Sequence, residues 1–396
     1  MLLPTKIPSS NASAWATLPA GFSRVLATGW LSVLALSGCD LRINQHELKG
    51  SGKFASEMRT VGPFDAISNT TSFDLEVNAE GSATVEITGD DNLLAEVETV
   101  VEGSTLVIRN KNPGGIRSSW TRSPLTVKIH APQISHISNT GSGDISVRQL
   151  HGALVEINSN SSGDIQASGK VNELRLQSTG SGDIHIDQLP LERLQLALKG
   201  SGSFRLGDTN TGPVVPMKTV QAELYGSGDL VIEHLTAEQA SITLDSSSAV
   251  RLSGEVKQLT LNIRGSGDID SSQLQVEHAE IKNAGSSNVS LKSISGNLKA
   301  EMAGSGDLDA DLRQAGQIEL NLSGSGNVTL AGSAKRLTAM LKGSGDLHAT
   351  ALVLDSASVK VTGSGEAEVN VKAAADAGQA SSTRTRRVRI DRNGVM

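Results

Sequence analysis

The chain has 396 residues, enough for two ordinary domains or one large repetitive one. Lys plus Arg is 35 against 42 Asp plus Glu, a mildly acidic balance that excludes a protein laying a basic face on nucleic-acid phosphate. With 41 glycines and 2% aromatic residues, a helical protein and a core of large rings are both excluded, so Leu, Ile, Val and Ala must fill the interior. The single cysteine, Cys39, leaves no disulfide and no thiolate zinc site within one chain.

In chain order, the first element is a leader. Lys6 and Arg24 precede a run of mostly apolar and small residues, Val25 to Ser37, too short to span a bilayer. A charged lead, a short apolar run and small residues at its end describe an export signal. Its close, Leu36-Ser37-Gly38-Cys39, resembles the lipobox of a bacterial lipoprotein signal. That resemblance implies cleavage after residue 38 and lipid on the Cys39 sulfur, and acyl chains of that kind anchor a protein to a membrane. Residues 39–63 read as a polar tether.

From Phe64 the chain runs FDAISNTTSFDLEV, and later ISHISNTGSGDISV. Asn69 to Val77 lines up with Asn139 to Val147, so residues 64–140 are expected to be the divergent first part of a repeat array. The regular array begins at residue 141. Gly-Ser-Gly-Asp and its variants start at residues 141, 161, 180, 200, 226, 246, 265, 285, 304, 324, 343 and 363. The steps are 20 or 19 residues, apart from one of 26 that contains the insert Thr209 to Pro216. Apolar residues alternate on either side of each motif, as in Leu174, Leu176, Ser178, Gly180, Gly182, Ile184 and Ile186. Period-two alternation means strand, with these positions facing inward. The two glycines mark a tight corner at which an inward side chain would not fit, and glycine also permits unusual backbone angles. A second corner is expected near Gln188 to Glu192, where Pro190 interrupts the pattern. One such unit cannot bury its apolar side alone, whereas parallel stacking buries it. The expected fold is therefore all-β: a parallel β-helix, or β-solenoid, regular over residues 141–372, right-handed by the usual rule for crossovers.

The fourth motif position reads Asp144, Asp164, Asp183, Ser203, Asp229, Ala249, Asp268, Asn288, Asp307, Asn327, Asp346 and Glu366. Stacked like carboxylates would lie roughly 4.8 Å apart and repel. From Asp183 to Asn327 every second copy is neutral, in step with the alternation of 20 and 19, so the sequence unit is about 39 residues. Either one coil is about 20 residues, with charges alternating up one ridge, or one coil is 39 residues, with acidic and neutral corners on opposite edges. The first avoids stacking Asp on Asp and is preferred. The ridge of Asp144, Asp164, Asp183, Asp229, Asp268, Asp307 and Asp346 reads as a hydrated acidic corner. One carboxylate and one or two hydroxyls per corner fall short of what calcium asks for, so no metal or cofactor is expected, weak divalent-cation binding on the ridge being the alternative reading.

Phe64-Asp65, the turns Gly89-Asp90-Asp91-Asn92-Leu93-Leu94 and Gly103-Ser104-Thr105-Leu106, and Gly141-Ser142-Gly143-Asp144 together resemble the GIN-domain family, the auto-transporter adhesin head domain of bacterial envelope proteins. The resemblance covers about residues 64 to 250, and the remainder reads as further copies of the repeat. It implies a β-helical, exported protein with an adhesive role and no catalytic motif to carry over.

Other residues bear on possible chemistry. A polysaccharide-processing enzyme needs a clustered acid pair that breaks the repeat, whereas these acids keep it. His185 and His348 share a repeat column many coils apart and cannot share a metal. Arg117, Trp120 and Arg122, in the irregular stretch Gly114 to Pro124, are the candidates for stacking on and hydrogen-bonding a sugar. The Arg-rich end, residues 373–396, reads as a disordered tail that blunts the last open coil. The expected function is a non-enzymatic, lipid-anchored envelope protein, in the periplasm or on the cell surface, acting as an adhesin. Its expected partners are the membrane and a glycan or envelope protein, not nucleic acid. A periplasmic scaffold is the first alternative and a glycan-processing enzyme the second.

Overall fold

A computed structural model describes residues 49–112, 123–207, 217–372, 385–391 and 394. The chain divides into two compact units, Met1–Gln45 and His46–Met396. The first lies outside the described residues, and with it the leader and Cys39. Arg117, Trp120, Arg122 and the insert Thr209 to Pro216 also lie outside them.

The second unit is a parallel β-solenoid of about 20-residue coils. Register proves the coil length, because Ile165 sits beside Ile145 on one side and Ile184 on the other. One column runs through Leu75, Ile145, Ile165, Ile184, Phe204, Leu230 and Val250. It continues through Ile269, Val289, Leu308, Val328, Leu347 and Ala367. Each of these side chains is at most 1% exposed. Burial of this kind stabilises by about 1.5–3 kcal/mol per large aliphatic side chain, which no coil could gain alone. The 39-residue coil is thereby excluded.

The alternation of 20 and 19 residues arises at the second bend. In four of the long coils a non-glycine residue there takes positive φ: Gln149 (57°), Gln188 (53°), His234 (54°) and Gln314 (55°). In three of the short coils Gly169 (145°), Gly254 (117°) and Gly332 (97°) take the bend with one residue fewer. Pairing slips by one residue at these places, between Ala167 and Gly169 and between Ile232 and Leu235.

The first part of the chain has a topology that its sequence did not disclose. Eight strands precede the long strand β9 (Ile145–Ser159): β1 (Phe54–Arg59), β2 (Ala66–Asn69), β3 (Asp74–Asn78), β4 (Thr84–Asp90), β5 (Val97–Glu102), β6 (Thr105–Asn110), β7 (Thr126–His130) and β8 (His136–Asn139). Asn69 pairs with Asn139 and Val77 with Val147, the alignment expected from sequence. Between them the chain doubles back: β6 and β7 stack in parallel on the far sides of β2 and β3 and form the terminal coil. Antiparallel strands then close that end, β5 on β6, β4 on β7, and β1 on β4.

Two expectations are corrected here. The stretch 39–63 is not all tether, since Phe54–Arg59 forms β1 in register with Val85–Asp90. The tail is not all disordered, since Thr385–Ile390 pairs antiparallel with Ala367–Lys372 and buries Ile390. The reason is shared. A terminal coil presents a row of unpaired backbone donors and acceptors, and an added strand satisfies them whatever its polarity.

Candidate binding surface

The motif corner is a hydrogen-bonded ladder. The backbone N–H of Asp164 donates to Asp144 Oδ1, that of Asp183 to Asp164 Oδ1, and that of Ser203 to Asp183 Oδ1, each at 2.8 Å. Neutral corners act alike: Asn288 Oδ1 accepts from Asp307 N–H and Asn327 Oδ1 from Asp346 N–H, both at 3.0 Å. Ser203 Oγ accepts from Asp229 N–H at 3.2 Å. The ladder starts at Asp74 and ends at Asp346, which accepts from Glu366 N–H. It breaks at Ala249, whose side chain has no acceptor to offer the N–H of Asp268.

This changes the reading of the acidic column. The position asks for a short side chain with an oxygen, because the coil above turns its corner there and its amide needs an acceptor. Charge spacing is secondary, since Asp74, Asp144, Asp164 and Asp183 stand in four successive coils. The glycines are there for space, as expected, and not for unusual backbone angles. The second of each pair is buried and the first part-exposed, and neither has positive φ. A Cβ on Gly182 would lie 2.0 Å from the carbonyl oxygen of Gly163 in the coil below. Where serine replaces glycine, at residues 161, 246, 248 and 287, the coils on both sides keep glycine. The serine between the glycines is exposed in every copy from Ser142 to Ser364.

The outer face of the long strands is flat and carries paired charges. Arg175 bridges Glu173 (2.7 Å) and Glu156 (3.3 Å) across two coils. Glu280 lies 3.0 Å from Lys282 and 3.4 Å from Lys299. The Lys282 hydrogen bond, then the Lys299 one, lowers the Glu280 carboxyl below its ordinary range, and Glu280 raises Lys299. Arg109 likewise lowers Glu98 by hydrogen bonding. Shallow grooves of about 350 and 320 Å³ run between these columns, the first past Gln177, Gln195 and Gln221, the second past Gln258, Thr260 and Gln317.

A larger cleft, of about 570 Å³, lies on the other face at the first coils. Its floor is a grid of outward side chains. Lys128, Glu76 and Ser146 occupy one row across β7, β3 and β9, and His130, Asn78 and Arg148 the next. The bends at Gln149, Gly169 and Gln188 form its wall. Nothing in the linear sequence pointed to this grouping, since β7 and β3 are neighbours only because the chain doubles back. Of the histidines singled out from sequence, His185 and His348 do lie in one outward column, separated by intervening coils. Among the described residues no group of three or more His, Cys, Asp or Glu is placed to hold a metal ion. No helix among them is long and apolar enough to cross a membrane.

These features define a class, the parallel β-solenoid with strand-capped ends and a side-chain ladder at one corner. The chain belongs to the family described as "Putative auto-transporter adhesin, head GIN domain", whose model matches residues 63–215, 211–307 and 285–386. No curated protein matches the chain. Among solved structures it is similar to a putative adhesin from Bacteroides fragilis, with 21% identity, TM-score 0.46, and coverage of 60% of this chain and 99% of that one. A putative adhesin from Parabacteroides merdae has 18% identity, TM-score 0.40 and coverage of 76% and 98%. Another from Parabacteroides distasonis has 20% identity, TM-score 0.41 and coverage of 74% and 99%.

Proposed function

We propose that this is a non-enzymatic, lipid-anchored protein of the bacterial envelope that binds a surface partner through the outside of its solenoid. The observation that carries this reading is the family match over residues 63–386, joined to the corner ladder. The carboxylates that recur along the solenoid are hydrogen-bonded to the backbone of the next coil, a structural use that leaves them uniform. A glycoside-cleaving pair would have to depart from that uniformity. The leader ending at Cys39 supports export and anchoring.

Protease shaving of intact cells, with a periplasmic protein as control, tests the location. Loss of the chain while the control survives is expected. Protection until the outer membrane is opened would overturn the adhesive role in favour of a periplasmic scaffold. The anchor is tested separately: Cys39→Ser should move the chain from the membrane to the soluble fraction.

A further inference from the structure

The cleft at the first coils gathers several charged side chains that the protein itself leaves unpaired. Among the described residues, the side chains of Glu76, Lys128, His130 and Arg148 make no hydrogen bond or ion pair with the protein. Elsewhere on the solenoid some cations, such as Arg109, Arg175, Lys218 and Lys299, are paired with carboxylates, and others, such as Lys170, Arg251 and Arg313, are not; what sets Lys128 and Arg148 apart is that they line one cleft. Two unpaired cations and a histidine thus share a cleft with one carboxylate, on a chain whose net charge is −7. The side-chain oxygen of Asn78, on the floor, is buried without a partner. The volume lies within the range of small-ligand sites, and apart from Val77 the lining side chains are polar or charged, with no Phe, Tyr or Trp.

We infer that this cleft binds a sugar unit that carries a carboxylate. The Arg148 guanidinium presents a planar fork that matches a carboxylate, and Lys128, in the adjoining row and two strands across, adds a second positive charge. Glu76 decides between anions. It repels a bare phosphate, which brings few donors at neutral pH, and it accepts hydrogen bonds from the hydroxyls of a sugar. Ser146 and Asn78 extend the same hydroxyl recognition. The assignment deepens the adhesive reading, on which it rests, by naming the partner's chemistry.

The test is calorimetric titration of the purified full chain with trigalacturonate, with the neutral trisaccharide galactotriose, and with inorganic phosphate. Trigalacturonate should bind at least tenfold more tightly than galactotriose. Arg148→Gln and Lys128→Gln should each weaken it about tenfold, whereas Lys299→Gln, on the other face, should leave it unchanged. Because the two cleft cations form no ion pair within the protein, melting temperature should not move in their variants. Equal binding of the neutral sugar, binding of phosphate in place of trigalacturonate, undiminished affinity in both cleft variants, or no heat with any probe would each overturn the assignment. These outcomes are independent of the shaving experiment, so failure of the cleft and failure of the surface location remain distinguishable.

Discussion

Asp164 holds the amide of Asp183 at 2.8 Å, and the same contact recurs with Asp, Asn or Ser along the corner. Removing the acceptor leaves a donor with no partner, whereas changing its charge does not. Asp164→Ala should therefore cost about 1–3 kcal/mol and speed hydrogen exchange at the Asp183 amide, while Asp164→Asn should leave both nearly unchanged. The chain holds its own converse experiment at Ala249, where the ladder is interrupted below Asp268. Ala249→Asn should supply the missing acceptor, slow exchange at the Asp268 amide and stabilise by about 0.5–1.5 kcal/mol. Amide exchange measured by mass spectrometry reads both. An electrostatic origin for the alternating corner predicts the opposite ranking, with Asp164→Asn stabilising by relief of repulsion.

At the scale of the element, the coil is closed by two bends with different demands. The motif corner needs room, because successive backbones approach closely. The second bend needs a backbone angle. At Gly254 both demands coincide: φ is 117°, and a Cβ would lie 2.1 Å from the Leu235 carbonyl oxygen. Gly254→Ala should destabilise by roughly 1–3 kcal/mol, read as a lower urea midpoint. The caps are elements of another kind. Deleting residues 385–396 would uncover the edge of Ala367–Lys372, whose backbone groups are otherwise paired. The truncated chain should self-associate, and light scattering at matched concentrations would show a rise in mass with the full chain as reference. At the opposite end β1 pairs, among the described residues, with β4 alone and exposes Phe54 (68%) and Met58 (63%).

At the scale of the described unit, stability is distributed. Each coil contacts its neighbours, and the buried column gives every interface a similar aliphatic contribution. Such a scaffold tolerates variation on its outer faces, because inward and outward positions alternate and the ladder is held at the corner. The flat face of the long strands and the cleft at the first coils are therefore separable: one repeats with the coils, while the other occurs once, where the chain departs from simple winding.

That departure also divides what was legible in the linear chain from what was not. Repeat length, inward parity, parallel stacking and the pairing of Asn69–Val77 with Asn139–Val147 come from local spacing, because a coil that turns the same corner must meet the same steric limits each time. The purpose of the corner residues was legible only as residue type. That Asp, Asn and Ser are interchangeable acceptors depends on which amide lies above them, a contact between residues about 20 apart in sequence. The terminal coil, the antiparallel caps and the grouping of Lys128 with Glu76 and Arg148 were decided by tertiary structure alone. They depend on a chain reversal that buries β6 and β7 against β2 and β3, and no periodicity records it, because an end of a solenoid is by nature where the repeat stops.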